Sequence, residues 1–351
     1  MGGLFSAFKK NIGIDLGTAN TLVYVDGMGI VVREPSVVAI DKNDGRVLAV
    51  GNQANEMLGR TPDNIIAIKP LKNGVIADFD VTREMIRILL RQACGKKKGL
   101  IKPKVTICVP SGITNVEKRA VEDAVLSAGA KSIVVLEEPM AAAIGAGVDV
   151  AKPIGHMVID IGGGTTEVAV VSMSGIVAAK SLRLAGNTID AEIASYVKHK
   201  YNLTIGDRTA EEIKIAIGSA LPYNDEAVYE IKGRDMITGL PKNVTVNSAE
   251  IREAMGKPIS EIVAAVTSTL EETPPELAGD IIENGIILTG GGALIRNLDS
   301  LINMITGLPV IVAKDPLDCV ALGTVTAGGD EKVVNRSGTA DGETSNDTMR
   351  K

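Results

Sequence analysis

The chain contains no tryptophan, three phenylalanines and five tyrosines, an aromatic share of 2%. Stacking platforms for single-stranded nucleic acid or glycans are built from such rings, so that class is set aside. The formal net charge of −6 removes the basic footprint of a general nucleic-acid binder. Cys94, Cys108 and Cys319 form no close pair, and an odd, scattered set points to a reducing compartment. The two histidines, His156 and His199, have no Cys/His ligand set around them, so neither is a metal candidate. No window supplies the roughly 18 consecutive apolar residues that span a bilayer, and residues 1–10 lack the long apolar stretch of a secretory signal. GxxxxGK[ST] is missing, as is GxGxxG after the first strand. Both P-loop enzymes of that kind and Rossmann oxidoreductases are thereby disfavoured.

What the chain does have is one phosphate-loop pattern twice, about 145 residues apart: IDLGTANT from Ile14 to Thr21, and IDIGGGTTE from Ile159 to Glu167. Each follows a short apolar run, carries an Asp at its end, and turns through glycine into β-branched residues. At 351 residues and 45% apolar content, the chain suits two domains with a large core. Two such hairpins, one per half, would grip a polyphosphate and its metal in an interdomain cleft, which makes ATP the first ligand to test.

Local patterns fill in an α/β architecture with mixed sheets. Asn11 to Leu16 and Thr21 to Val25 read as strands around the first loop. Val81 to Cys94 has helical spacing in Met85, Ile86, Leu89 and Leu90. Thr114 with Glu117 forms a capping box, and Val116, Ala120, Val121, Ala124 and Val125 are the expected buried stripe. Val105 to Val109 and Ile133 to Leu136 are strand candidates, the second leading into Glu137, Glu138, Pro139 and a small-residue helix. In the second half, His156 to Ile161, Val168 to Val171 and Ile176 to Lys180 repeat the opening. Thr209 is expected to cap a helix with Glu212, burying Ile213, Ala216 and Ile217. Ile259 to Leu270 reads as a helix, Ile286 to Thr289 as a strand, and ALIRNL as a helix start. The organisation expected is residues 11–147 with a small lobe at about 33–65, residues 148–329 with a lobe at about 182–249, and a polar tail at 330–351.

Glycine lets backbone N–H groups approach phosphate oxygens. Gly17, Thr18, Ala19 and Asn20 are donors from the first loop, and Gly162, Gly163, Gly164 and Thr165 from the second. Asp15 and Asp160 sit at strand ends, where ligand groups gather in α/β sheets, and suit Mg²⁺ held through its water shell. Each Asp–Gly unit alone also reads as a tight hairpin. Gly290, Gly291, Gly292 and Ala293 offer a flat surface for an adenine ring or the α-phosphate. Glu211 and Lys214 supply a ribose acceptor and a donor, or else are a solvated helical ion pair. Glu138, its backbone fixed by Pro139, is the candidate to orient the attacking water with Thr165; helix N-terminal charge matching is its plainer alternative.

These motifs resemble the actin, sugar kinase and DnaK-type superfamily, and within it the MreB/Mbl family of bacterial actins. VREPSVVAI, VPSGIT, EEPMAAAIGAG, IGDRTAEEIK, TPPELA, LTGGGALIRNL and DPLDCVALG occur in that family's order between Asn11 and Gly323. The resemblance implies an actin-like, ribonuclease H-like duplicated fold with four subdomains around the cleft. It also implies Mg-ATP binding and hydrolysis, and protofilaments that pair antiparallel on the inner face of the cell membrane. Partners of that kind are anionic lipids and membrane-embedded shape or elongation proteins, and the location is cytoplasmic and peripheral. Glu138 matches the position of the water-orienting glutamine of eukaryotic actin, Thr165 its assisting threonine, and Asp15 and Asp160 the metal-associated aspartates.

Two segments are membrane candidates. In MGGLFSAFKK, Leu4, Phe5 and Phe8 share a helical face beside Lys9 and Lys10, though the segment is shorter than the roughly 12 residues of a marginal isolated helix. In CGKKKGLI, three lysines precede Leu100 and Ile101, each basic residue near anionic lipid being worth about 1 kcal/mol. A polymer multiplies such weak anchors. A solvated loop and a greasy start is the alternative. M-G-x-x-x-[ST] is met through Gly2 and Ser6, a chance match if the source is bacterial. Among rival functions, a small-molecule kinase would need a further strand-end Asp, a chaperone would need a peptide-binding domain after Gly328, and a scaffold that binds nucleotide with little hydrolysis stays open.

Overall fold

The computed structural model describes residues 11–95 and 102–328. The first half runs β1 (Asn11–Leu16), β2 (Asn20–Val25), β3 (Gly29–Pro35), β4 (Val38–Asp41), β5 (Val47–Val50), α1 (Asn52–Met57), β6 (Ile65–Ile68), β7 (Leu71–Lys72), β8 (Val75–Ile76), α2 (Phe79–Cys94), β9 (Lys104–Val109), α3 (Asn115–Ser127), β10 (Ser132–Glu137) and α4 (Glu138–Gly145). The second begins β11 (His156–Ile161), β12 (Thr166–Ser172), β13 (Gly175–Leu182), α5 (Gly186–Tyr201), β14 (Leu203–Thr204) and α6 (Asp207–Ile217). It continues with β15 (Val228–Asp235), β16 (Pro241–Asn247), α7 (Ser248–Glu271), α8 (Pro275–Asn284), β17 (Ile286–Thr289), a 3-10 turn at Gly291–Leu294, α9 (Leu298–Thr306), β18 (Val310–Val312) and α10 (Cys319–Gly328).

The duplication is topological. One five-stranded sheet has the order β3-β2-β1-β9-β10 and the other β13-β12-β11-β17-β18. In both, the first three strands are antiparallel and the last two run parallel to the central strand. Period-2 alternation sends Met157, Ile159 and Ile161 of β11 into one core and Val158 into the other. A strand covered on both faces needs apolar side chains on both, which is why β12 is buried along its whole length. Small sheets, β5-β4-β6 and β14-β15-β16, sit outside the two large ones.

Four local expectations are corrected. The Thr114 capping box forms, but Val116 is 79% exposed, because the buried stripe of α3 is Val121, Ala124 and Val125. Helix α6 starts at Asp207 behind Gly206 without a side-chain cap, so Thr209 lies inside the first turn and Ala216 faces solvent. Helix α7 begins at Ser248, capped by Asn247 and Glu250, and passes through Pro258. It therefore begins about three turns before the expected Ile259, and burial of Ile251, Met255, Ile259 and Ile262 outweighs the proline within it. ALIRNL gives a 3-10 turn, with α9 starting only at Leu298.

The two halves are joined where α4 crosses α10. A Cβ on Gly145 would lie 1.8 Å from the Cys319 carbonyl oxygen, and one on Gly323 would lie 1.9 Å from that of Ala141. The crossing is backbone on backbone, inside a core with Leu136, Met140 and Val320. Gly323→Ala is expected to lower the unfolding free energy by about 1–3 kcal/mol through overpacking. The control Gly279→Ala, on α8 with nothing within 4 Å, should be neutral or stabilising; urea titration of both variants checks this.

Candidate functional site

The β1–β2 and β11–β12 turns open into one cleft of about 470 Å³ between the halves. Asp15, Gly17, Thr18, Ala19 and Asn20 line it from the first loop, and Asp160, Gly162, Gly163, Gly164 and Thr165 from the second. Glu138 at the start of α4, Glu211 and Lys214 on α6, and Gly290, Gly291 and Gly292 complete the expected set. Ala293 does not line the cleft. It is 5% exposed and packs into the second core, because the 3-10 turn points it inward. Leu4, Phe5, Phe8, Leu100 and Ile101 lie outside the described residues. A second cavity of about 660 Å³, bordered by Ile30 to Arg33, Lys314 and Asp318, brings together neither glycine loop.

Hydrogen bonds hold each loop in place. The Ser36 hydroxyl donates to the Gly17 carbonyl at 2.6 Å and pairs with Thr21 Oγ1 at 2.8 Å. The Gly74 amide donates to Thr18 Oγ1 at 2.9 Å. In the second loop the Gly162 amide donates to the Thr165 carbonyl at 2.9 Å, and the Asn187 amide to the Gly163 carbonyl at 2.8 Å. The loops touch: a Cβ on Gly163 would come within 2.4 Å of Ala19 Cβ, and one on Gly164 within 2.4 Å of Thr18 Oγ1. Only glycine allows this approach, which brings the two loops together at one side of the cleft.

The charge at this volume is negative and unpaired. Burial, then the charge of Asp160, raises Asp15 to about 7. Burial raises Asp160 to about 6 against a 2.8 Å hydrogen bond from the Thr289 hydroxyl. Glu138 is pushed well above the carboxylate range by burial, then by Glu167, Asp15 and Asp160, while the facing Thr165 hydroxyl pulls it down. Burial likewise lifts Glu167 to about 8. Among the described residues no Lys or Arg offsets any of the four. No cluster of three or more His, Cys, Asp or Glu ligands forms among them either. Two carboxylates beside two glycine loops are instead a donor set that suits Mg²⁺, which keeps waters and shares phosphate oxygens. Asp15 and Asp160 would hold it, and their unneutralised burial is what a divalent cation relieves.

At the far end of the cleft, the Lys214 ammonium lies 2.9 Å from Asp190 and donates to the Gly186 carbonyl at 3.3 Å. Its ion pair is therefore across to α5, not along α6 to Glu211; the i,i+4 pair on that helix is Arg208–Glu212. Asn187, Gly74, Arg296 and Asp190 were missed. The Asn73-Gly74 dipeptide was a legible turn signal; the other three carry none. Arg296 lines the cleft with its guanidinium over the Tyr223 ring, 4.2 Å from the centroid.

The aspartate shifts have a stability consequence. A carboxyl whose folded value is raised binds its proton more tightly folded than unfolded, so stability falls as pH rises from about 4 through 7. Without nucleotide or divalent cation, Asp15→Asn should melt higher than wild type at about pH 8, with the gain vanishing toward about pH 4. Its thermal protection by Mg-nucleotide should shrink. Melting curves across pH, with and without ligand, check both.

The family model for MreB/Mbl protein matches residues 9–336. Cell shape-determining protein Mbl of Bacillus subtilis (strain 168) is 52% identical over 318 residues, which is 90% of this chain and 95% of that protein. The crystal structure of MreB5 of Spiroplasma citri bound to ADP aligns with a TM-score of 0.87 and 41% identity, covering 92% of this chain and 97% of that one. The same protein bound to AMPPNP aligns at 0.86 and 41%, covering 93% and 97%. With the duplicated sheets and both glycine loops in place, the chain belongs to the MreB/Mbl family of bacterial actins.

Proposed function

We propose that this protein is an ATP-binding bacterial actin that polymerises, hydrolyses ATP and helps to determine cell shape. The observation that carries the reading is the convergence of two glycine loops, one from each half, on a single cleft beside four buried carboxyl groups. Nucleotide-bound MreB5 structures of the same fold, one with ADP and one with AMPPNP, support ATP as the ligand. The loop amides grip the phosphates, Gly290 to Gly292 face the base or α-phosphate, and Glu211 and Lys214 the ribose. Mg²⁺, when bound through Asp15 and Asp160, supplies charge neutralisation for the triphosphate.

Hydrolysis asks mainly for a positioned water, because the transferring phosphoryl group is loose in the transition state. Glu138 is suited to that task. It is buried at the head of α4, held by Pro139 in the first turn, and faced by Thr165. Its partners in function are further copies of this chain, with anionic lipid on the inner face of the membrane and membrane-embedded elongation proteins beyond that. Among the described residues no helix is long and apolar enough to cross a membrane. Leu4, Phe5, Phe8, Leu100 and Ile101 are proposed as the peripheral contacts.

The test is sedimentation with anionic vesicles and Mg-ATP. Glu138→Ala is expected to assemble yet release phosphate at least roughly tenfold more slowly, the scale of one lost general acid–base or positioning group. Equal release by wild type and variant would remove Glu138 from this role, and assembly without release by either would favour the scaffold. Leu100→Ser with Ile101→Ser should keep ATPase activity and pellet less with vesicles.

A further inference from the structure

Glu167 is 1% exposed, the least accessible of the buried acidic residues described, and it does not line the nucleotide cleft. It is the second residue of β12, two positions after Thr165 at the end of the glycine turn. One carboxylate oxygen accepts from the Ser181 hydroxyl of β13 at 2.5 Å. The other accepts from the Ser111 amide at 3.2 Å, across the seam in the β9–α3 loop of the first half.

Ser111 follows Pro110, and a Cβ on Gly74 would meet Pro110 at 2.6 Å and Thr165 at 2.7 Å. The seam is therefore closed at three heights. Thr165 faces Glu138 at the cleft, Glu167 holds Ser111 in the middle, and Arg183 pairs with Glu117 at 3.1 Å on the solvent side. The outer pair is exposed and worth little. The middle contact is buried, where water does not compete for either group and leaving the Ser111 amide without a partner would be costly. A carboxylate has no apolar reason to be there, since burying it costs free energy that an apolar side chain would not.

We propose that Glu167 is a positioning residue for hydrolysis, clasping Ser111 across the seam so that Glu138 and Thr165 meet at the separation the attacking water requires. The proposal rests on the ATPase reading. It assigns Glu167 no contact with nucleotide, so losing the clasp should slow phosphate release and spare binding.

The experiment compares full-length wild type, Glu167→Ala and Glu167→Gln. Affinity is read with a fluorescent ATP analogue, chemistry by single-turnover phosphate release, and the clasp by hydrogen exchange in peptides containing Ser111. Glu167→Ala should bind Mg-ATP within about threefold of wild type, release phosphate at least roughly tenfold more slowly and exchange faster at Ser111. Glu167→Gln keeps an amide oxygen for Ser111 and an NH₂ for Ser181, and should restore release to within about threefold.

Wild-type release by the Ala variant overturns the proposal. So does a Gln variant as slow as Ala, or a loss of affinity equal to the loss of rate. Should Ala fail to fold, wild type decides alone: the Ser111 amide must be protected from exchange with AMPPNP and with ADP alike, and exchange as fast as an exposed loop amide in either state refutes the clasp. That comparison needs no hydrolysis, so a wild type that releases no phosphate would sink the ATPase reading without touching it.

Discussion

Mutual repulsion and desolvation among Asp15, Asp160, Glu138 and Glu167 govern this molecule. Each is an acid enclosed where charge is costly, and no basic side chain among the described residues relieves them. Burial disfavours the ionised form of all four, while the backbone amides around them attract anions. A ligand that brings phosphate together with a divalent cation satisfies both demands at once. Neither component alone does so, since bare triphosphate would meet the aspartates and a bare cation would leave the amides unanswered. A preference for a metal–nucleotide complex over either component alone is what this charge pattern would favour, before any contact with the base is considered.

Internal duplication explains how the pattern arises. Sheets of identical order place the first hairpin of each half at the same relative position, so Asp15 and Asp160 are related by the repeat. The halves then diverge. β12 is buried on both faces, whereas β2 and β3 keep partly exposed positions. Glu138 and Glu167 are not repeats of one another; each comes from one half only, and they meet because the halves meet.

That distinction separates what was legible in the sequence from what was not. Asp15, Asp160 and the glycines could be read because their chemistry is local: a strand end, a tight turn, a missing Cβ. The Thr114 box was readable for the same reason. Val116 misled because it lies in the exposed first turn of α3, ahead of the residues that pack, and Thr209 because α6 already starts at Asp207 without a side-chain cap. The first turns of α7 were not read, although Asn247 with Glu250 forms a capping box there and the helix continues through Pro258 because its apolar face is buried. Ala293 was drawn into the site by its neighbours Gly290 to Gly292, when the 3-10 turn from Gly291 to Leu294 buries it in the core. Glu167 and Asp190 gave no sign, because a buried acid becomes meaningful only once its partner from elsewhere in the chain, Ser111 or Lys214, is known.

The glycine crossing of α4 and α10 restricts how the molecule can move. Helices that meet through side chains can slide, because the side chains change rotamer to follow. Here the Gly145 and Gly323 contacts are main chain against main chain, with nothing flexible between them. Translation is blocked, and what remains is a scissor-like pivot about the crossing. A pivot has lever arms: a rotation too small to break any contact at the fulcrum becomes a larger displacement with distance from it. The edges of the two halves farthest from the crossing are thus the places where a small change of angle between them would be largest.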